Sequence, residues 1–213
     1  GPKMIFILFF ALLGALWFAF KLQYTSLTVP GIGVFDIGLW AIPLYTFIIV
    51  ATANAVNVTD GLDGLAGGLL ISAFATFGAL AFFRDHLFLA LFCGLVVAAL
   101  FGFLWFNVPP AKFFMGDTGS LALGATLGVI AMMIDAVFAL PIVGFIFVIE
   151  TLSVIIQITS KKLRNGKKVF LIAPIHHHFE QKGWQESQIV MRFWIIGGFC
   201  AVLGLIVGLI SFQ

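Results

Sequence analysis

Seven apolar runs, each near the length that crosses a lipid bilayer, follow one another along this chain. A transmembrane helix needs about 20 apolar residues, because the hydrocarbon core offers no water to an exposed backbone. Of the 213 residues, 62% are hydrophobic and 9% are charged, which excludes a water-soluble globular domain. We therefore predict an all-α, polytopic membrane protein with about seven transmembrane helices, in a single domain over residues 1–213. The runs are Met4–Phe20, Leu39–Ala55, Leu65–Phe83, Leu87–Trp105, Ser120–Ile134, Val137–Thr159 and Ile189–Ile210.

Lysine and arginine are distributed unequally between the two sets of loops that seven spans define. One set, together with a span end at Arg192, holds nine of the eleven basic residues, and the other holds only Lys21 and Arg84. Because basic residues accumulate on the cytoplasmic side of a membrane, this bias predicts a cytoplasmic N-terminus and a C-terminus outside. The richer set consists of residues 1–3, 56–64, 106–119 and 160–188.

The first polar cluster recurs at three-residue spacing where the second run ends, at Asn54, Asn57, Asp60 and Asp63. Residues three apart share one face of a helix, so the four side chains are predicted to form one polar stripe. Ionisable groups near a bilayer are costly and indicate function, and carboxylate with amide oxygens suits Mg²⁺ carrying a phosphate. The structural alternative is a solvated loop with Asn and Asp helix caps.

A second polar cluster lies in WFNVPPAKFFMGDTGS, residues 105–120. Pro109 and Pro110 should stop the preceding helix. Asp117 is predicted to face the first cluster and complete a cation site, whereas the structural alternative makes Asp117 or Thr118 a helix N-cap. Phe114 and its neighbour Phe113 should be exposed, either for stacking on a flat base or as anchors at the membrane interface.

A third polar cluster occupies the long loop 160–188, where His176, His177 and His178 follow a proline. Three adjacent histidines cannot share one helical face, which argues against a three-histidine zinc site and leaves hydrogen bonding to phosphate or sugar. The basic run 161–168 is read as a positive-inside signal in contact with membrane lipid. Glu150 and Gln157, seven residues apart, should face the protein interior.

Successive spans bring all three clusters to the same predicted face of the membrane. We expect the loops 54–64, 106–119 and 160–188 to form one cytoplasmic active site. An ion-coupled transporter is the competing class, but it would carry carboxylates near span centres, where only Glu150 is a candidate.

The motifs NAVNVTDGLDGLAGG, FLWFNVPPAKFFMGDTGSLALG, ETLSVIIQ and APIHHHFEQKGW resemble the polyprenyl-phosphate N-acetylhexosamine-1-phosphate transferase superfamily. The PIHHHFE segment points within it to the phospho-N-acetylmuramoyl-pentapeptide transferases, the MraY group. The resemblance implies Mg²⁺-dependent transfer of phospho-MurNAc-pentapeptide from UDP to undecaprenyl phosphate, giving lipid I and UMP for peptidoglycan synthesis. The enzyme would lie in the bacterial inner membrane with its site facing the cytoplasm. A sister transferase acting on UDP-GlcNAc shares the first two clusters and is the alternative.

The resemblance also implies roles for individual residues. Asp117 would be the Mg²⁺ ligand, Asp60 a catalytic carboxylate, and His176 and His177 part of the catalytic site on the sugar-phosphate side. Phe114 would stack on uracil, and we expect it to contact the family's nucleoside inhibitors in the same way. The other residues assigned to substrate binding are Asn54, Asn57, Asp63, Asn107, Gln157 and His178, of which Asp63 and Asn107 would contact the uridine.

The family has ten spans, and its first three carry a pair of adjacent aspartates that this chain lacks. The seven runs match the fourth to tenth of those spans, so we expect the chain to be the C-terminal part of a larger transferase and to be inactive without the first three. Whether a general base is needed stays open, because the lipid phosphate is already ionised near neutral pH. The oligomeric state, including a homodimer, stays open too, and no nucleic-acid partner is expected.

Overall fold

The computed structural model describes residues 2–210, and most of them are helical. The nine α-helices of this part of the chain are α1 Pro2–Leu16, α2 Ala41–Thr59, α3 Leu65–Phe83, α4 Leu87–Asn107, α5 Gly116–Met133, α6 Leu140–Val143, α7 Phe145–Leu163, α8 Ile175–Gln181 and α9 Glu186–Ile210. A π-helical turn, Trp17–Lys21, extends α1, and a 3-10 turn, Gly38–Trp40, leads into α2.

Within residues 2–210, six helical segments are long and apolar enough to cross a membrane, which confirms a multi-pass, all-α architecture. They are Lys3–Lys21, Gly38–Thr59, Leu65–Phe83, Leu87–Asn107, Gly116–Met133 and Glu186–Ile210. The remaining predicted run, Val137–Thr159, is not one helix, because the chain breaks at Gly144 between α6 and α7. Helix α7 is 19 residues long but carries Glu150, Lys161 and Lys162, so its composition does not match that of the six.

A small β-hairpin, which the sequence did not predict, lies between α1 and α2. Strand β1, Ser26–Val29, pairs antiparallel with strand β2, Gly33–Asp36. The backbone N–H of Thr28 donates to Oδ1 of Asp135 at 3.1 Å, and its hydroxyl donates to Oδ2. The hairpin is thereby fastened to the α5–α6 loop, at the end of the bundle away from the polar clusters.

Helix α3 lies at the centre of the bundle and α4 at its edge, with 61% and 11% of their span residues buried. Small residues let the other helices approach closely, as is common in membranes. A Cβ atom built on Gly124 of α5 would lie 2.5 Å from the carbonyl oxygen of Thr52 in α2, so the two backbones are in contact. This contact holds Asn57 of α2 across from the first turn of α5.

Candidate active site

Helix α2 ends at Thr59, so the predicted stripe of four polar side chains on one helix is wrong. Asp60 is the C-cap residue with φ −76° and ψ 49°, and Asp63 lies in the loop that follows. Within the helix, Nδ2 of Asn54 donates to the carbonyl of Val50 at 2.7 Å, along its own helix. Only Asn57 of the two helical amides reaches across to another segment.

Asn57 and Asp117 form the centre of a hydrogen-bond network between α2 and α5. Nδ2 of Asn57 donates to Oδ1 of Asp117 at 2.7 Å and to Oγ of Ser120 at 2.9 Å. The ammonium of Lys3 donates to Oδ2 of Asp117 at 2.8 Å and to Oδ1 of Asn57 at 3.2 Å. The Asp117 side chain is nevertheless 68% exposed, so it is available to a ligand from solution.

Asp117 lies in the first turn of α5, and the N-cap residue is Met115, which makes no side-chain cap. The alternative in which Asp117 or Thr118 caps this helix is therefore wrong. An acidic residue in a first turn is favoured by the helix dipole, which leaves the exposed edge of the Asp117 carboxylate free for another task.

Asp60 belongs to the same site, since its carboxylate accepts a hydrogen bond from the backbone of Gly116 and feels the charge of Asp117. Burial raises the pKa of Asp60 above its ordinary value of 3.8, and repulsion by Asp117 adds to the increase, whereas the Gly116 hydrogen bond opposes it. Two carboxylates thus converge, one from the C-cap of α2 and one from the first turn of α5. Hydrogen bonds from Lys3 and Asn57 hold the pKa of Asp117 below its ordinary value, so Asp117 keeps its charge beside Asp60.

Asp63 and Asn107 brace the loops around the site. Oδ2 of Asp63 accepts from the backbone N–H of Ala111 at 2.8 Å. Oδ1 of Asn107 accepts from the N–H of Gly64 at 3.0 Å, and its Nδ2 donates to the carbonyl of Phe113 at 3.0 Å. Gly64 has φ +80°, a conformation that side-chain-bearing residues rarely adopt. The two residues predicted to contact uridine therefore join the first cluster to the second.

Phe113 and Phe114 are both exposed, as predicted, but only one of them packs against other rings. The Phe113 ring lies 5.3 Å from that of Phe103 and 5.9 Å from that of Phe106. Phe114 is 70% exposed and borders an open apolar groove of about 400 Å³ between α4 and α5. Phe114 therefore presents its ring to this groove, three residues before Asp117 in the chain.

The long loop is held on α7 and α8 by its own polar side chains. Oε1 of Gln157 accepts from the N–H groups of Val169 and Phe170 at 3.0 Å, and its Nε2 donates to the Phe170 carbonyl at 2.8 Å. Nδ1 of His178 accepts from the N–H of Leu171 at 3.1 Å. The substrate contacts assigned to Gln157 and His178 stay predictions, and the structure gives both residues a bracing role.

His176, by contrast, is buried beneath the first cluster. Its Nδ1 lies 3.0 Å from Oε2 of Glu150, and both side chains are at most 1% exposed. A Cβ atom built on Gly61 would lie 2.5 Å from Nε2, so the ring packs directly under that backbone. His177 points elsewhere and pairs with Glu180. The predictions that the histidines diverge and that Glu150 and Gln157 face inward are confirmed.

Residues 2–210 contain no group of three His, Cys, Asp or Glu side chains placed to hold a metal ion. Mg²⁺ needs less, because it is commonly bound by one or two carboxylates together with substrate phosphates. The Lys3 ammonium already occupies a position between an Asp117 and an Asn57 oxygen, which shows that these oxygens can hold a cation. Exposed carboxylate and amide oxygens are of the chemical kind that fits Mg²⁺.

Three site residues were not found from the sequence. In the sequence, Lys3 indicates only topology and Ser120 only the start of a span. Glu186 accepts a 2.7 Å hydrogen bond from the N–H of Asp63, which joins α9 to the first cluster. No motif signals these contacts, because each depends on how distant helices pack.

Comparison with known sequences fits this arrangement. The model for the family described as glycosyl transferase family 4 matches residues 2–135, which contain Asp60, Asp63 and Asp117. The chain belongs to glycosyl transferase family 4. It is 48% identical over 198 residues to a phospho-N-acetylmuramoyl-pentapeptide-transferase of Desulforapulum autotrophicum, covering 85% of this chain and 55% of that relative.

Two further similar relatives of this family member carry the same name. The phospho-N-acetylmuramoyl-pentapeptide-transferase of a Wolbachia strain from Drosophila simulans is 50% identical, and that of Wolbachia pipientis wMel is 51% identical, each over 175 residues. Both matches cover 79% of this chain and 54% of the relative. The chain thus spans about half the length of the relatives it matches.

Proposed function

We propose that this glycosyl transferase family 4 chain carries the site of a phospho-N-acetylmuramoyl-pentapeptide transferase. One observation carries the proposal: Asn57, Asp60, Asp117 and Lys3, from three separate helices, meet at one end of a bundle of membrane-spanning helices. The names of relatives at 48–51% identity supply the reaction. Its substrates would be UDP-MurNAc-pentapeptide and undecaprenyl phosphate, and its products lipid I and UMP.

The reaction is a transfer between two phosphates. An oxygen of the lipid phosphate forms a bond to the sugar-bearing phosphorus of UDP-MurNAc-pentapeptide, while the bridging P–O bond breaks and its electron pair leaves with UMP. Both substrates are anionic, so catalysis depends on positioning and on positive charge rather than on covalent chemistry by the protein. A site at the end of the spans lets a lipid-borne phosphate meet a nucleotide from the cytoplasm.

We assign Mg²⁺ to Asp117, because its carboxylate is exposed and already accepts hydrogen bonds from a cation. When bound there, Mg²⁺ supplies the positive charge that neutralises the departing UMP. Lys3 holds a second positive charge at the same carboxylate and is placed to attract phosphate. Asn57 fixes Asp117 through its 2.7 Å hydrogen bond, so the ligand oxygen does not have to be ordered when substrate arrives.

Asp60 is assigned to orienting the attacking lipid phosphate. Its partial burial and its repulsion from Asp117 make its carboxylate a better proton acceptor than an ordinary aspartate. The lipid phosphate is already ionised near neutral pH, so orientation alone is sufficient for attack. Phe114 would stack on uracil, with Asp63 and Asn107 holding the loops that frame the base.

The relatives are about twice as long as the matched region, and the family's first three spans carry an aspartate pair. We propose that these spans supply one wall of the site in the working enzyme, in the inner membrane with the site facing the cytoplasm. Experiments on turnover therefore use this chain co-expressed with the first three spans of the Desulforapulum relative.

Two other functions make different predictions. A sister transferase for UDP-GlcNAc would share the Asp60 and Asp117 turns, but PIHHHFE and the names of the relatives favour MurNAc-pentapeptide. An ion-coupled transporter would use a carboxylate along an aqueous path. Glu150, the candidate for that role, is fully buried and paired with His176.

Substrate choice is tested by equilibrium competition. Radiolabelled UMP is bound to the co-expressed protein with Mg²⁺, and either UDP-MurNAc-pentapeptide or UDP-GlcNAc is added. We expect UDP-MurNAc-pentapeptide to displace UMP at a concentration at least about tenfold lower, since each 1.4 kcal/mol of extra contact is tenfold in affinity. Equal competition by UDP-GlcNAc would favour the sister activity.

A further inference from the structure

The buried pair of Glu150 and His176 has two polar atoms without a hydrogen-bond partner among residues 2–210. These atoms are Oε1 of Glu150 and Nε2 of His176, on either side of the 3.0 Å contact between Nδ1 and Oε2. Leaving buried polar atoms unsatisfied is costly, so a fold that keeps them at such a place suggests a function.

The protonation of the ring follows from this environment. A carboxylate only accepts, so Nδ1 must donate its proton to Glu150. If Nε2 also carried a proton, an N–H donor would be buried without an acceptor. The neutral ring with Nδ1 protonated leaves Nε2 bare, and a bare nitrogen can pack against the Cα–H of Gly61.

The Nε2 side of the His176 ring faces the turn that carries Asp60. Nε2 is the ring atom nearest to a Cβ built on Gly61, at 2.5 Å, and Gly61 directly follows Asp60. Helix α8 is itself held in place, because Phe179 stacks on Trp184 at 4.7 Å and Arg192 lies over the same indole at 4.0 Å. The imidazole of His176 is thus held in one position, in packing contact with the turn that carries Asp60.

We infer that Glu150 is a positioning residue, because its carboxylate fixes His176 as the Nδ1–H tautomer. The unprotonated Nε2 of this tautomer packs against Gly61 and thereby determines the position of Asp60. This inference rests on the proposed transferase function for its effect on turnover. The pairing itself and its effect on the Gly61 turn are measurable without turnover.

The first experiment uses ¹⁵N-histidine NMR on this chain and on three variants. Glu150→Met has similar length and cannot accept the Nδ1 proton, whereas Glu150→Gln keeps an accepting oxygen. Ser153→Ala is the matched control, because it removes a buried hydrogen bond from α7, to the Glu150 carbonyl, without touching His176. We expect the Nδ1–H tautomer in the native chain, Glu150→Gln and Ser153→Ala, and its loss in Glu150→Met. An unchanged tautomer in Glu150→Met overturns the inference.

The second experiment measures hydrogen exchange of the backbone amides in residues 60–64 and the steady-state kinetics of the co-expressed enzyme. In Glu150→Met we expect faster exchange and a kcat lower by about tenfold or more, because loss of a residue that orients a site residue typically lowers activity by that factor. The KM for UDP-MurNAc-pentapeptide should stay within about twofold, and Glu150→Gln should restore both readouts. Loss of the tautomer with unchanged exchange and kcat would show that the pair does not position the turn.

A third measurement, the thermal midpoint, keeps the inference testable even if a variant folds poorly. Gly61→Ala places a methyl group against Nε2, so it should lower the thermal midpoint in the native background. In the Glu150→Met background the ring is free to turn, and the same substitution should cost much less, although residues 61 and 150 are not in contact. If the losses of thermal midpoint from Gly61→Ala and Glu150→Met were additive, the packing of His176 against Gly61 would not depend on Glu150, which would contradict the inference. Absence of lipid product from the native enzyme would overturn the proposed function, while the NMR and exchange results would still decide the pairing.

Discussion

Asn57 and Asp117 stand 60 positions apart in the sequence, yet Nδ2 of the amide donates a 2.7 Å hydrogen bond to Oδ1 of the carboxylate. This bond joins the last turn of α2 to the first turn of α5, two helices whose backbones touch at Gly124. The other carboxylate oxygen accepts from Lys3, so Asp117 is oriented from two sides while most of its surface stays exposed. Such an arrangement presents a fixed anionic ligand to solution.

Asp117→Asn should remove the ligand charge without disturbing packing. The side chain is 68% exposed and the substitution keeps its size, so the thermal midpoint should change little. Turnover should fall on the order of 100-fold or more. Removing a residue that merely orients a metal ligand already lowers activity by up to about 100-fold, and Asp117 is assigned as the ligand itself. The matched control is Asp85→Asn, at the opposite end of the bundle. Near-normal Mg²⁺-dependent turnover by Asp117→Asn would remove the metal assignment.

The raised pKa of Asp60 makes the stability of the folded chain depend on pH. Because this pKa is raised in the fold, stability falls as the pH rises from the ordinary value of 3.8 through the folded pKa, and stays lower above it. Asp60→Asn keeps an oxygen for the Gly116 hydrogen bond and removes the charge. It should therefore unfold at a higher temperature than the native chain at pH 7 and lose this advantage towards pH 4. Thermal midpoints in detergent between pH 4 and pH 8 test this; a difference that does not vary with pH would contradict it.

Phe114 and Phe113 offer a matched pair of aromatic truncations. Phe114→Ala should weaken UMP binding by roughly 1–3 kcal/mol, the usual worth of a base stacked on an aromatic ring. Phe113→Ala should change UMP affinity much less and lower the thermal midpoint instead, because its ring packs against Phe103 and Phe106. Calorimetric titration and thermal unfolding separate the two effects. Equal losses of affinity would favour a role for both rings as membrane anchors.

Gly124 tests whether helix contact positions the site. An alanine there would meet the Thr52 carbonyl at 2.5 Å and the Ala53 Cα at 2.8 Å, both of which are backbone atoms that must move. Gly124→Ala should therefore cost about 1–3 kcal/mol of stability and weaken the Asn57–Asp117 contact. Gly102→Ala is the control, because an added Cβ at that helical position would meet nothing within 4 Å. Equal thermal midpoints for the two variants would contradict close contact of α2 and α5.

Much of the fold follows from the sequence because the length and the apolar composition of a segment largely decide whether it can cross a membrane. Five of the six spanning segments agree with the predicted runs at their centres and at most of their ends, and the sixth, Gly116–Met133, begins four residues before the predicted start at Ser120. The broken run at Gly144 was missed, since Gly and Pro are tolerated inside transmembrane helices and do not by themselves mark a break. The hairpin 26–36 was missed because short strands have little periodicity.

The site was predictable in its residue types but not in its contacts. Spacing of three suggested a helical stripe, yet α2 ends before Asp60, and the glycines that follow fold the chain back. The pairing of His176 with Glu150 could not be read from the sequence, because it depends on how α8 sits against α7. Lys3 could not be placed either, since a lysine at a span end ordinarily reports only topology.

The central claim is that the Asp60 and Asp117 turns transfer phospho-MurNAc-pentapeptide to a polyprenyl phosphate. The most direct measurement is organic extraction of radiolabelled lipid product from this chain co-expressed with the family's first three spans, given UDP-MurNAc-pentapeptide, undecaprenyl phosphate and Mg²⁺. The account predicts labelled lipid I and an equal amount of UMP, both lost on chelation of the metal and in Asp117→Asn. Product that persists in Asp117→Asn, or that forms only from UDP-GlcNAc, would contradict it.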